Sequence, residues 1–492
     1  MSDSTPEHPL HEGIEEPPVT SPAIGHDEWV ARHVERRLPP RLGAVEQRLQ
    51  LVPWWAWLAL FVGGSCLLPV FSGNTYVRYV GFITVLYMML ALGLNVVVGW
   101  GGLLDLGFVA FYGIGAYAYA LLDSDHYGIH MWSVLSIPIV VIIGGVAGFL
   151  LGLPSRRLSG DYLAIVTLFF LQLFQTLTTN GDQFLFGAGN VTGGANGILR
   201  IDPLDLFGKE LAIEHHGEFA VGYYFVALAF FAVVFVLLRL VNHSRTGRAW
   251  RSQREDALAA EVMGMPVNWL KLMSFSFGAA TAALTGTLFA SANAAVFPLE
   301  FYFVLLITVY TMVILGGQGS QAGVVLGAII VSVLLELLRT PSHARDLFYV
   351  LIAGGLVICF KLTWKLLAVV GGLVALGFAL RAIADAIDHK WVSGTAGGWA
   401  SDWVIVPVQT ASWIAPVTYI GLIAAVLGLT LVRGWVRNVL LVPVLYLAAF
   451  VWENVMLVKP EPTRYIVIGV ILVALMVLRP NGLLGERRVE IL

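Results

Sequence analysis

Few residues of this chain are of a type that makes or breaks bonds, and their spacing does not suit them to it. His215 and His216 are adjacent in a polar loop, so on a regular element they point in different directions. Gly208 and Lys209 are followed by Glu210, which is not the Gly-rich loop with Lys and Ser/Thr that cradles phosphates. Gly317 to Ala322 (GQGSQA) formally fits the dinucleotide fingerprint, but it lies between apolar runs rather than in a strand–helix unit. Cys66 and Cys359 fall in apolar runs and suggest neither a disulfide framework nor a zinc site. The expected catalytic and metal-binding sets are therefore empty. The chemistry that remains is recognition and movement, and two stretches carry it.

The first is Leu92 to Ala120 (LGLNVVVGWGGLLDLGFVAFYGIGAYAYA). Asn95, Asp105, Tyr112 and Tyr117 are polar groups set in an apolar run that Gly93, Gly99, Gly101, Gly102, Gly107, Gly113 and Gly115 punctuate. Small residues let helices approach closely in a bilayer, and glycines let a membrane helix break where protein covers its backbone. We expect the inner wall of a transport unit, with those four polar residues as candidates for the translocation path. Buried hydrogen bonds between helices are the competing reading. The second stretch is the loop 241–270. It predicts a short helix from Glu255 to Met263, with Glu255 and Asp256 at the positive end of the dipole, Ala257, Ala259 and Ala260 as strong formers, and Gly264 as the cap before Pro266. Such a helix is either a surface feature or a knob that docks into a partner.

The elements that must position these residues are membrane helices. The 492 residues are 58% hydrophobic and only 12% charged, where a soluble domain carries roughly 25%. Mean hydropathy is +0.80. The expected fold is all-α and polytopic, with about 14 transmembrane segments at 52–71, 77–99, 103–122, 131–153, 162–180, 219–240, 271–292, 302–316, 322–339, 346–361, 365–386, 412–432, 437–457 and 464–479. Segments such as 302–316 are short enough to be broken or re-entrant. Residues 1–50 read as a polar cytoplasmic tail without the pattern of a signal peptide. Arg32, Arg36, Arg37, Arg41 and Arg48 place it inside, and the basic loop 241–270, Arg156, Arg157, Arg433, Arg437, Arg487 and Arg488 agree. Both termini are then cytoplasmic. Arg78 and Arg464 are the exceptions on the outside. Ionisable residues in the spans are few (Asp105, Asp161, Glu336, Glu453), which weighs against an ion-coupled secondary transporter acting alone. Gly144, Gly148 and Gly152, and again Gly278, Ala282, Gly286 and Ala290, form small-residue stripes for tight crossings.

Six blocks in order give the chain a more specific look. They are the run from Leu92, then GDYLAIVTL (Gly160–Leu168), TGGANGI (Thr192–Ile198), GRAWRSQREDALAAEVMGM (Gly247–Met265), LGGQGSQAGVVLGAI (Leu315–Ile329) and LRPNGLLG (Leu478–Gly485). Together they resemble the M-type permease subunit of the high-affinity branched-chain amino acid ABC importers. The resemblance implies a core over 51–340 with no ATPase of its own. Its expected partners are two ATPase subunits that bind ATP and Mg, a second related permease and a periplasmic substrate-binding protein, at the bacterial inner membrane. It implies that Arg254, Glu255, Asp256, Ala259, Ala260 and Gly264 form the helix that couples to an ATPase subunit. Its solutes are branched-chain amino acids, with urea or amides among relatives.

The chain also departs from that pattern. Phe169 to Leu173 (FFLQL) stands where relatives show Gly-Phe-Gly-Glu-Ile, so Gln172 replaces an acid. Residues 341–440 look like inserted transmembrane segments before the final spans and C-terminus of 441–492. Trp391, Trp399, Trp403 and Trp413 suit an interfacial aromatic belt around an outside loop there. Glu336–Lys361 and Glu453–Arg479 share an order of acid, proline, arginine, apolar run and cation, as a partial duplication would.

Overall fold

A backbone inside hydrocarbon must satisfy its own hydrogen bonds, and this chain does so with helices. The computed structural model describes residues 53–71, 75–156, 158, 160–181, 190–206, 209–210, 221–360, 363–394, 402–407, 413–432, 435–478 and 482–484. The 1–50 tail, Arg157, His215, His216, Trp399, Arg433, Arg487, Arg488 and the side chain of Cys359 lie outside them. The chain divides into two units, Met1–Trp57 with Arg487–Leu492, and Leu58–Glu486. In the first, the described residues are Pro53 and the opening turn of α1 (Trp54–Phe71). The helices below belong to the second.

Each of the expected apolar segments contains a helix among the described residues. After α1 come α2 (Thr75–Leu94), α3 (Phe108–Leu122), α4 (Ser133–Ser155), α5 (Asp161–Thr179) and α6 (Val221–His243). Two short helices follow, α7 (Arg245–Glu255) and α8 (Ala257–Val262). Then come α9 (Val267–Asn293), α10 (Phe303–Gly316), α11 (Gln321–Leu337), α12 (Pro341–Phe360), α13 (Trp364–Ile387), α14 (Ile414–Leu431), α15 (Trp435–Val451) and α16 (Pro460–Leu478). Among the described residues nine helices are long and apolar enough to cross a membrane, or ten with α11 and α12 counted as one broken span. That pair is bent by 119°. Pro341 opens α12, a position that tolerates proline because its missing N–H has no helical partner. The α3 helix is apolar but short.

The longest helix, α9, is the hub of the main core, packed against α4, α3 and α2. The small-residue stripes explain how. A Cβ on Gly144 or Gly148 would lie 2.3 Å and 2.5 Å from the Cβ atoms of Ala283 and Ala279. One on Gly286 would lie 2.2 Å from the Tyr112 carbonyl oxygen, and one on Gly115 2.2 Å from that of Ala283. Backbones this close leave no room for a side chain.

Three two-stranded ladders tie the connections: Asp123–Ser124 with Ile129–His130, Ile198–Leu199 with Ala295–Val296, and Asp205–Leu206 with Lys209–Glu210. His130 Nδ1 lies 2.5 Å from Asp202 Oδ2, and that carboxylate raises the proton affinity of the imidazole.

A satellite core of Leu338, Ala344, Trp452 and Leu457 joins α12 to the π-helical turn Trp452–Met456 that extends α15. Phe348 stacks on Trp452 with ring centroids 4.5 Å apart. Beside it Arg345 grips Glu453 with two groups: Nε lies 3.0 Å and 3.1 Å from the carboxylate oxygens, and Nη2 lies 2.9 Å from Oε2. The arginine of the first repeated stretch thus meets the acid of the second. Helix α16 belongs to both cores, with Ile468 in the main one and Val467 against the satellite.

Candidate docking surface and solute cavity

The predicted short helix is two pieces. Glu255 ends α7, and the extended Asp256 (φ −151°) breaks the backbone there. Its Oδ1 then caps α8 by accepting from the N–H groups of Leu258 (2.9 Å) and Ala259 (3.0 Å). At the other end Gly264 adopts φ +83°, Gly264 N–H donates to the Glu261 carbonyl, and Met265 N–H donates to that of Ala260. This is a Schellman stop, which glycine reaches without strain. Ala260 is buried, whereas Leu258, Val262 and Met263 are 72%, 79% and 80% exposed. A hydrophilic protein loop has no internal use for three bare apolar side chains on one short helix. A shallow groove of about 490 Å³ runs alongside, lined by Arg248, Arg251, Glu255, Asp256, Ala259 and Met263.

This surface is tied to the end of α2. That helix finishes in a π-helical turn, Asn95–Trp100, and the chain then runs without helix to Gly107. Arg254 Nη1 donates to the Gly99 carbonyl and Gln253 Nε2 to that of Gly101 (3.1 Å). Gly102 has φ +68°, and a Cβ there would meet Arg254 Cγ at 2.9 Å. Trp250 is fully buried, stacks on Trp100 at 6.3 Å, and donates from Nε1 to the Leu270 carbonyl. Trp100 Nε1 in turn donates to the Gly319 carbonyl (2.9 Å), and Asn95 Oδ1 accepts from Gly319 N–H (2.9 Å). The turn between α10 and α11 is therefore fastened to the same place. Leu483 and Leu484 donate to the carbonyls of Leu315 and Gly316, which adds the end of the chain to this knot.

The four expected path residues are spread over different surroundings. Asn95 sits in the knot, away from any described cavity. Asp105 Oδ1 accepts from Gly107 N–H (2.8 Å), and its carbonyl accepts from the Tyr310 hydroxyl (2.6 Å). Tyr117 lies against Phe174 and Phe301, with its buried hydroxyl unpaired. Tyr112, packed on Phe289 and Phe301, lines a cavity. Gln172, at the position of the family's acid, is exposed on α5, while Gln175 one turn later is buried and donates to the Phe301 carbonyl (3.0 Å).

That cavity holds about 530 Å³ between α2, α10, α11 and α16, at the ends of these helices opposite the knot. Its polar lining includes Glu300, Ser332, Glu336, Arg339 and Arg464. Sequence reading left these outside the candidate set. Two were nonetheless visible as anomalies: Glu336 is a rare acid in a span, and Arg464 breaks the charge bias of the loops.

Comparison with known proteins agrees with this architecture. The family model described as "Branched-chain amino acid transport system / permease component" matches residues 77–360. The high-affinity branched-chain amino acid transport system permease protein LivM of Salmonella typhimurium is 39% identical over 301 residues, covering 58% of this chain and 67% of that protein. Its namesake in Escherichia coli is 40% identical over 301 residues, with the same coverage. The fructose import permease protein FruG of Bifidobacterium longum is 25% identical over 335 residues, 66% of this chain and 93% of that protein. No solved structure matches significantly. With more than half its length under one family model, and with the ordered motifs on helices that pack as a membrane unit, the chain belongs to the branched-chain amino acid transport system permease family.

Proposed function

We propose that this chain is the permease subunit of an ATP-driven importer that moves branched-chain or related amino acids across the inner membrane by alternating access. ATP and Mg are bound by two separate ATPase subunits, one of which docks on α8. A second related permease completes the pathway, and a periplasmic binding protein delivers the solute. Both termini lie in the cytoplasm. One observation carries the reading. The exposed apolar helix α8 is tied through Gln253 and Arg254 to the broken end of α2, and the opposite part of α2 lines the cavity.

Force applied at α8 reaches the carbonyls of Gly99 and Gly101, where α2 is already unwound. A π-helical turn followed by glycines bends there at low cost. Asn95 and Trp100 pass the same motion to the α10–α11 turn. Displacement at the docking end thus alters the wall of the cavity at the other end. Asp256 shapes α8 as its cap, Ala260 seats it, and Gly264 turns the chain away from the docking face.

The test is purification of the tagged chain in mild detergent, followed by mass spectrometry and ATP-dependent leucine uptake in proteoliposomes. Two ATPase chains and a second permease should accompany it, and uptake should require ATP. Recovery as a folded monomer or homodimer that transports alone overturns the reading in favour of a secondary carrier.

A further inference from the structure

Three polar atoms in the described part of the chain share an unusual position. Ser332 Oγ, Glu336 Oε1 and Arg464 Nε are each buried without a hydrogen-bond partner, and all three residues line the same cavity. Ser332 is only 5% exposed. Arg339 Nη1 comes within 3.7 Å of Glu336 Oε1, too far for a hydrogen bond. Arg464 has the exposed Glu461 at 4.0 Å and lies over the Tyr465 ring at 5.8 Å, and neither contact supplies its Nε with a hydrogen-bond acceptor. A buried polar group left unmade costs free energy, so three around one space mark a site built for something that satisfies them.

The lining specifies what that is. An acid and an arginine come from different helices, α11 and α16, with Arg339 and Glu300 adding one charge of each sign. Val80, Ile83, Leu86 and Leu305 line the same cavity, with aromatic rings such as Tyr87 and Phe289. A molecule that meets both charges needs an anionic and a cationic group on a short frame, with an aliphatic body. We propose that this cavity receives a free α-amino acid as its zwitterion. The carboxylate accepts from Arg464, the ammonium donates to Glu336 and Ser332, and the aliphatic side chain lies along α2. Arginine suits the first role because its planar fork matches a carboxylate. A sugar such as fructose presents neither charge and would leave both unpaired. The proposal rests on the reading of the chain as an amino acid permease, and it adds where the solute is held and by which groups.

The experiment uses the full importer in proteoliposomes, with binding protein in excess and radiolabelled leucine, and compares the parent with Arg464→Gln, Arg464→Lys, Glu336→Gln and Ser332→Ala. Co-purification of the ATPase subunits reports that each variant is assembled. Arg464→Gln and Glu336→Gln should lower uptake by at least about tenfold, the factor that about 1.4 kcal/mol represents. Arg464→Lys should recover part of it, and Ser332→Ala should cost less. Parental uptake in assembled Arg464→Gln and Glu336→Gln overturns the site while leaving the permease reading intact. So does a cavity filled by a lipid headgroup, seen as activity that follows phosphatidylethanolamine content and ignores these substitutions. Absence of leucine uptake by the parent importer overturns the permease reading itself.

Discussion

At the scale of single residues, the firmest electrostatic contact described is the Arg345–Glu453 pair, with side chains 10% and 0% exposed. Removing one partner leaves the other charge buried alone. Arg345→Ala should therefore cost about 3–5 kcal/mol, read as a lower unfolding temperature in detergent. The reversed pair Arg345→Glu with Glu453→Arg should recover part of the loss. The sequence marked Glu453 as a rare acid in a span and placed an arginine in the first repeated stretch, but did not show that they meet, because the contact spans 108 positions. Asn95 makes the same point from the other side. Its type and setting allowed either a solute contact or a buried clamp, and the group its Oδ1 holds is the Gly319 N–H, 224 positions away. What a polar side chain in a membrane helix does depends on its neighbour, and nothing local names that neighbour.

At the scale of elements, α8 is the piece whose surface is least used by its own chain. Val262→Asp places a charge at the centre of its exposed apolar face. If an ATPase subunit docks there, co-purification should fall by at least about tenfold, as for a binding hot spot, with membrane insertion unchanged. Gly264→Leu should also uncouple uptake from ATP hydrolysis. The position has open space around it, so the new side chain projects freely, but its φ of +83° adds strain of about 1–2 kcal/mol. Gly286→Val acts within the core instead: its Cβ would meet the Tyr112 carbonyl oxygen at 2.2 Å, and backbone cannot yield as a side chain does. A loss of about 1–3 kcal/mol or more is expected from such overpacking, measured by thermal unfolding. Helices were the legible part of the fold, since apolar length and small-residue spacing are local properties. The split at Asp256 was not, because a capping carboxylate competes with helix propensity and the winner depends on where the chain must turn. Nor was the 119° bend after α11, which is set against Trp452 and Leu457 from a distant part of the chain.

At the scale of the whole molecule, the stretch 341–440 holds α12, α13, α14 and the first turns of α15. It separates α16 in sequence from the α10 and α11 helices that it joins around the cavity. The sequence reading expected an insertion here, although the family model runs on through α12 to residue 360. That its far end rejoins the main core through Ile468 was not legible in the sequence. The position of Arg464 fixes an order of events during synthesis. Every lining residue outside α16 leaves the ribosome at least 125 positions earlier, as the step from Arg339 to Arg464 shows. While the intervening helices are being threaded into the bilayer, Glu336 waits beside an unfinished wall. The compartment closes only when the last helix arrives, so a nascent chain released before Pro460 should be inserted, open on one side, and left to the membrane proteases.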